Sequence, residues 1–322
     1  MRFSIAALLA LLPAPVMAEV PRVVTDIPPV HALVSLVMGD LGKPDLLLDR
    51  GANAHSFALR PSQAAGLQKA DLVVWIGPQM TPWLDRALDG IGGKAHRLEL
   101  LGLQGTFRRD FGDGPHEHAA TEDDHDHDAK DDDHGDHGSH GDAAGHGHAH
   151  SGLDPHAWLD PANALVWLDA IATELSEHDA PNAATYAANA RAAGERIKAL
   201  DTHLAGDLAP LKDRPFVVFH DAYGYFSSHY GLTVASSISL GDAAAPGAAH
   251  LSEVRAQLIE GKILCAFPEA QHDPKLLTTL VEGTGTRIGA TLDPSGSSLE
   301  PGPDLYEALL SDLAGKLASC LN

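Results

Sequence analysis

Three histidines stand where an α/β chain presents ligands: His55, His156 and His220. His220 directly ends the apolar run 215–219, and His55 follows the run 45–48 through the turn-forming Gly51-Ala52-Asn53. His156 lies in Asp154-Pro155-His156-Ala157-Trp158-Leu159-Asp160-Pro161, a turn-rich lead into a helical stretch. In open α/β sheets the crevice beyond the carboxyl ends of the strands is where ligands bind, so the three residues point at the same kind of place. After the run 263–267, Glu269, Gln271, His272 and Asp273 put further oxygen and nitrogen donors at that rim, from which a fourth ligand could come. Neutral imidazole is a common zinc ligand, whereas Mn²⁺ is better served by several carboxylates, so a three-histidine set leans toward Zn²⁺. A single histidine carries little weight, because it more often caps or hydrogen-bonds. His31, His96, His178, His203, His229 and His250 read in that plainer way.

The elements that must position these residues follow from patterning. Short β-branched runs alternate with helical patterns, the signature of α/β units with mostly parallel strands. Residues 23–25, 45–48 and 72–76 read as strands of a first lobe, and 215–219, 233–235, 263–267 and 286–288 as strands of a second. Between them, 163–178 and 182–209 are rich in Ala, Leu, Glu and Arg with apolar spacings of three and four, and so read as helices. Pro181 suits the first turn of the second helix and Pro210 lies just past its end. The expected architecture is α/β, two lobes with mostly parallel sheets joined by a long rigid linker helix. The N-terminal lobe is expected over 19–180, the linker over 181–210 and the C-terminal lobe over 211–322.

Residues 1–18 read as a signal peptide: Arg2 supplies the positive start, 5–12 is apolar, and Val16-Met17-Ala18 offers a small-residue cleavage site. The expected location is therefore the periplasm. No later run reaches the roughly 18 uncharged apolar residues of a membrane helix. In an oxidising compartment the two cysteines, Cys265 and Cys320, are expected to pair, two buried thiols being the alternative. The formal charge of −22 argues against nucleic acid or an anionic membrane as partner and favours cations. Residues 110–150 hold thirteen acidic residues against Lys130, contributing −12 of that charge. They also carry His116, His118, His125, His127, His134, His137, His140, His146, His148 and His150. With almost no large apolar residues, the stretch 110–151 is expected to be a disordered loop inside the N-terminal lobe that collects metal weakly at many sites.

Four motifs in order then carry a family resemblance. They are Val23-Val24-Thr25-Asp26-Ile27-Pro28-Pro29-Val30-His31, Gly51-Ala52-Asn53-Ala54-His55-Ser56-Phe57, the Asp154 to Pro161 motif, and Phe219-His220-Asp221-Ala222-Tyr223-Gly224-Tyr225-Phe226 followed by Tyr230-Gly231-Leu232. With a His-rich insert between the second and third, the chain resembles the zinc-specific solute-binding proteins of ABC importers, the ZnuA type. The resemblance implies metal held between two lobes by His55, His156 and His220, and a disulfide that Cys265 and Cys320 match. It implies a non-enzymatic, monomeric carrier of Zn²⁺, which it delivers to an ABC transporter permease in the inner membrane, with a zinc chaperone as a further partner. Some members have Glu just before the first metal histidine, where this chain has Ala54. The expected fourth ligand is then water first, Asp273 second, and Glu269 or His272 behind. His220, where manganese-type relatives carry a carboxylate, argues against manganese. Two rivals are a zinc-dependent hydrolase using the same three histidines and a periplasmic zinc buffer or chaperone. No HExxH or GxGxxG spacing occurs in the chain to strengthen an enzymatic reading.

Overall fold

The computed structural model describes residues 19–91, 94–112, 152–239 and 246–322. The expected signal peptide and most of the His-rich stretch lie outside the described residues. The first lobe runs β1 (Val23–Thr25), α1 (Pro28–Met38), β2 (Asp45–Leu46), α2 (Pro61–Leu67), β3 (Leu72–Trp75), α3 (Pro82–Gly90) and β4 (His96–Glu99). Two long helices follow, α4 (Pro161–His178) and α5 (Ala183–Leu208). The second lobe runs β5 (Phe216–His220), α6 (Gly224–Tyr230), β6 (Val234–Ser239), α7 (Ala248–Ile259), β7 (Cys265–Ala266), α8 (Lys275–Val281), β8 (Arg287–Ile288) and α9 (Leu305–Leu321).

Each lobe is built on a four-stranded sheet, ordered β2-β1-β3-β4 and β6-β5-β7-β8, and every pairing in both is parallel. The strands β3 and β5 are buried along their whole length, as parallel strands covered on both faces must be, which is why Leu-Val-Val-Trp and Phe-Val-Val-Phe read as continuous apolar runs. In each order the first strand of the lobe lies inside the sheet, with its successors placed on opposite sides. The crevice therefore opens beside the ends of β1 and β5. β4 is the exception to the sequence reading. Its residues His-Arg-Leu-Glu are mostly exposed or half-buried, so an edge position rather than an apolar pattern makes it a strand.

α4 and α5 form the shared spine. Asp160 caps α4, its Oδ1 accepting from the Ala162 N–H at 2.8 Å, and Pro161 fits the first turn, whose orphan N–H it removes. α5 starts at Ala183, just after a short 3₁₀ turn that carries Pro181. It is 26 residues long, about 39 Å at 1.5 Å per residue. Tyr186, Ala190, Ala193, Ile197, Leu204 and Leu208 form its buried stripe. That stripe packs on α4 and α1 at one end and on α9 at the other, so one continuous core runs through both lobes. Within the second lobe Cys265 of β7 and Cys320 of α9 are joined by a disulfide. No described helix is long and apolar enough to cross a membrane.

Candidate metal centre

His220 is the last residue of β5 and only 6% exposed, so the buried strand fixes its Cα at the crevice. The loop after β7 supplies its support: His220 Nδ1 is hydrogen-bonded to Glu269 Oε1 at 2.6 Å, and the Tyr223 hydroxyl donates to Glu269 Oε2 at 2.8 Å. Burial, then the adjacent Glu269 carboxylate, holds the Tyr223 hydroxyl well above its usual range, so it stays a donor.

His156 is 1% exposed and sits on a turn that Asp154 builds. Asp154 Oδ1 accepts from the His156 backbone N–H at 3.0 Å and meets the ring Nδ1 at 2.8 Å. Second-lobe groups clamp this turn: Tyr225 donates to the Asp154 carbonyl, Tyr306 to the Trp158 carbonyl, and Trp158 Nε1 donates to the Pro294 carbonyl, each at 2.8 Å. His156 thus belongs physically to the interface rather than to one lobe.

His55 comes from the loop after β2. Asn53 Oδ1 accepts from the His55 N–H at 2.8 Å, an Asx turn, and Trp83 Nε1 donates to the Ala54 carbonyl at 2.6 Å, which pins the loop to α3.

The three rings converge. Ring centroids are 5.5 Å apart for His55 and His156 and 5.2 Å for His156 and His220, with Nε2 of His156 and His220 3.4 Å apart. One donor atom from each of the three lies within 4.8 Å of the others. Because Asp154 and Glu269 occupy the Nδ1 atoms, Nε2 is the nitrogen that His156 and His220 turn to one another. Carboxylates behind the rings fix tautomer and orientation and raise ligand basicity, an arrangement typical of zinc-binding imidazoles. The cavity between them, open to the crevice, measures about 20 Å³ and is lined by these histidines with Met80, Trp158 and Gln271. One water needs roughly 10–15 Å³ of such space, so the cavity has room for one ion and its water. Gln271 holds φ at 71°, a backbone state uncommon outside glycine, in the loop that carries Glu269. Asp221 adds a third carboxyl beside the rings, its pKa raised by burial first and then by Asp154.

Sequence reasoning put His55, His156 and His220 in one place, and the structure brings these three together. Asp273 stands outside the cluster. It is exposed, accepts from the Lys275 N–H at 2.9 Å at the start of α8 and faces the Lys275 ammonium at 3.7 Å. His272 lines the cavity and stacks on Phe219 with centroids 4.4 Å apart, while Glu269 points its oxygens at His220 and Tyr223.

Residues 23–320 match the ZnuA family, described as zinc-uptake complex component A, periplasmic. The chain belongs to this family. A high-affinity zinc uptake system protein ZnuA of Paracoccus denitrificans is 53% identical over 317 residues, covering 98% of this chain and 97% of that protein. Its namesake in Brucella suis is 40% identical over 306 residues, covering 93% and 91%. A ZnuA crystal structure superposes with a TM-score of 0.71 at 24% identity, covering 94% of this chain and all of that one, a likeness of fold.

Within this ZnuA frame, sequence reasoning missed the part played by Asp154. Asp154 Oδ1 meets the ring Nδ1 of His156 and Glu269 Oε1 that of His220, and Glu269 also stands with His220 and His272 in a second group of donor atoms that lie within 4.8 Å of one another. The signal for Asp154 was its place two residues before His156, the spacing at which a carboxylate can bond both the backbone and the ring of its neighbour.

Proposed function

We propose that this protein captures Zn²⁺ in the periplasm at His55, His156 and His220 and hands it to the permease of an ABC-type importer. The observation that carries this reading is the convergence of three imidazoles on an ion-sized cavity, with Asp154 and Glu269 behind two of them. Three neutral nitrogen donors suit zinc, and a water from the crevice completes four-coordination. Asp154 and Glu269 place carboxylates against two of the rings, which favours a dication over a neutral ligand. Family membership over 23–320 supports transport rather than hydrolysis as the use of the site. The ion is cargo, so the site must release as well as hold it. Imidazoles bind zinc only when neutral, so the affinity falls in acid.

The test is zinc uptake. Deleting the gene is expected to abolish high-affinity accumulation of radioactive zinc, the wild-type gene to restore it, and a His156→Ala allele not to. Full restoration by the His156→Ala allele would remove the cleft from the transport route.

A further inference from the structure

A second convergence of donors lies at the far end of α4. Glu174 and His178 stand one helical turn apart at its C-terminal end, and His96 opens the neighbouring edge strand β4. His96 Nδ1 is hydrogen-bonded to Glu174 Oε1, and His178 Nε2 stands 3.4 Å from that same oxygen. The two rings are 5.8 Å apart by centroid, and the three donor atoms all lie within 4.8 Å of one another. In a tetrahedral zinc site, donors about 2.0–2.2 Å from the ion sit roughly 3.3 Å from each other, so only small side-chain rotations separate this trio from a ligating geometry.

The backbone around the trio is fixed. The His96 N–H donates to the Asp71 carbonyl at 2.9 Å, and α4 packs along α5. The end of a helix also carries partial negative charge, which favours a cation within its last turn. His178 borders a surface cavity with Glu19, Arg22 and Asp71, so an ion can reach the donors from solvent. α4 has 18 residues and so places about 27 Å between this trio and the cleft end of the same helix.

We infer that His96, Glu174 and His178 form a second divalent-cation site for Zn²⁺, with solvent in the fourth position. Two imidazoles and one carboxylate are a zinc donor set, softer than the all-oxygen cages that Ca²⁺ and Mg²⁺ require. The side chain of His96 is 59% exposed, that of His178 29% and that of Glu174 11%. Two of the three donors must therefore lose rotamer freedom on binding, which makes this site weaker than the buried cleft.

The experiment uses the full-length protein labelled with ¹⁵N-histidine. Ring resonances of His96 and His178 are assigned from His96→Ala and His178→Ala and followed through a zinc titration that continues past the equivalence of the tight site. The two rings are expected to respond together along one curve. His96→Ala should abolish the response of His178, and His178→Ala that of His96. Glu174→Gln should raise the midpoint about tenfold or more. Retention of the tight equivalent in each variant shows that the fold persists, and if one substitution loses it the other two decide. Rings that stay silent at about tenfold zinc excess, rings that respond independently, or an unmoved midpoint in Glu174→Gln would overturn the site.

Discussion

In the cleft, Asp154 and Glu269 stand behind His156 and His220, on the ring nitrogens turned away from the point of convergence. At the far end of α4, Glu174 lies between its two rings and takes the place that a metal would share. The residue types are nearly the same, and the difference is where the carboxylate sits. Behind a buried ring it orients a ligand in advance, so binding needs little reorganisation. Between two exposed rings it is itself a ligand, and the rings must be gathered when the ion arrives.

The largest effect separating the two regions is expected from the cleft itself. His156→Ala should weaken tight zinc binding roughly a thousandfold or more, because two fixed nitrogens and water are left where three nitrogens stood. His96→Ala should leave that tight affinity unchanged. Competition with a chromogenic chelator measures both, and equal losses in the two variants would erase the distinction.

The disulfide comes next. It closes a separation of 55 residues between β7 and α9, inside the lobe that supplies His220. By chain-entropy reasoning its loss costs at most about 4 kcal/mol. Cys265→Ser with Cys320→Ser should lower the urea midpoint while the zinc response of His96, in the other lobe, and of His178, at the end of α4, survives in the folded protein. An unchanged midpoint would show that the cross-link does not limit the stability of that lobe.

A third, smaller effect marks the cleft end of α4. His229 lies 2.9 Å from the helix-capping Asp160 and 2.8 Å from Asp201 of α5. Burial works against its charged form, but hydrogen bonds to these two carboxylates outweigh it and raise the pKa to about 9. The folded protein thus holds this proton more tightly than the unfolded chain does. The resulting stability is complete below about pH 6.5 and is lost as pH rises through about 9; it amounts to at most roughly 3 kcal/mol. Urea unfolding at pH 6.5 and 9.5 should show this decline in the wild type and a flatter one in His229→Gln. Parallel slopes would assign the pH dependence elsewhere.

The smallest expected change probes the carboxylates behind the rings. Asp154→Asn and Glu269→Gln keep the shape but weaken the hold on each imidazole, and should cost ten- to a hundredfold in zinc affinity. If either matched His156→Ala, that carboxylate would be a ligand rather than a support.

Much of this contrast was legible in the residues. A histidine ending an apolar run, such as His220 after Phe219, must emerge at the carboxyl edge of a buried parallel strand, whatever else the chain does. The long helices were legible because composition and spacing act over a few turns, and α4 and α5 lie within a residue or two of 163–178 and 182–209. β4 was not, since an edge strand has no buried face to impose alternation and His-Arg-Leu-Glu shows none.

What the sequence determined by itself is local: which residues end strands, where helices start, that two cysteines were available to pair, and that the chain carries −22. What the tertiary structure decided is which donor atoms face one another. Glu269 turned to the ring of His220 across 49 residues, and Asp273, four residues further on, turned outward to Lys275. His96 met Glu174 across 78 residues, although His96 read alone as a capping or hydrogen-bonding residue. Donor geometry is set to fractions of an ångström by the packing of helices and sheets far apart in the chain. Residue spacing constrains only the few ångströms that a single turn or strand can span.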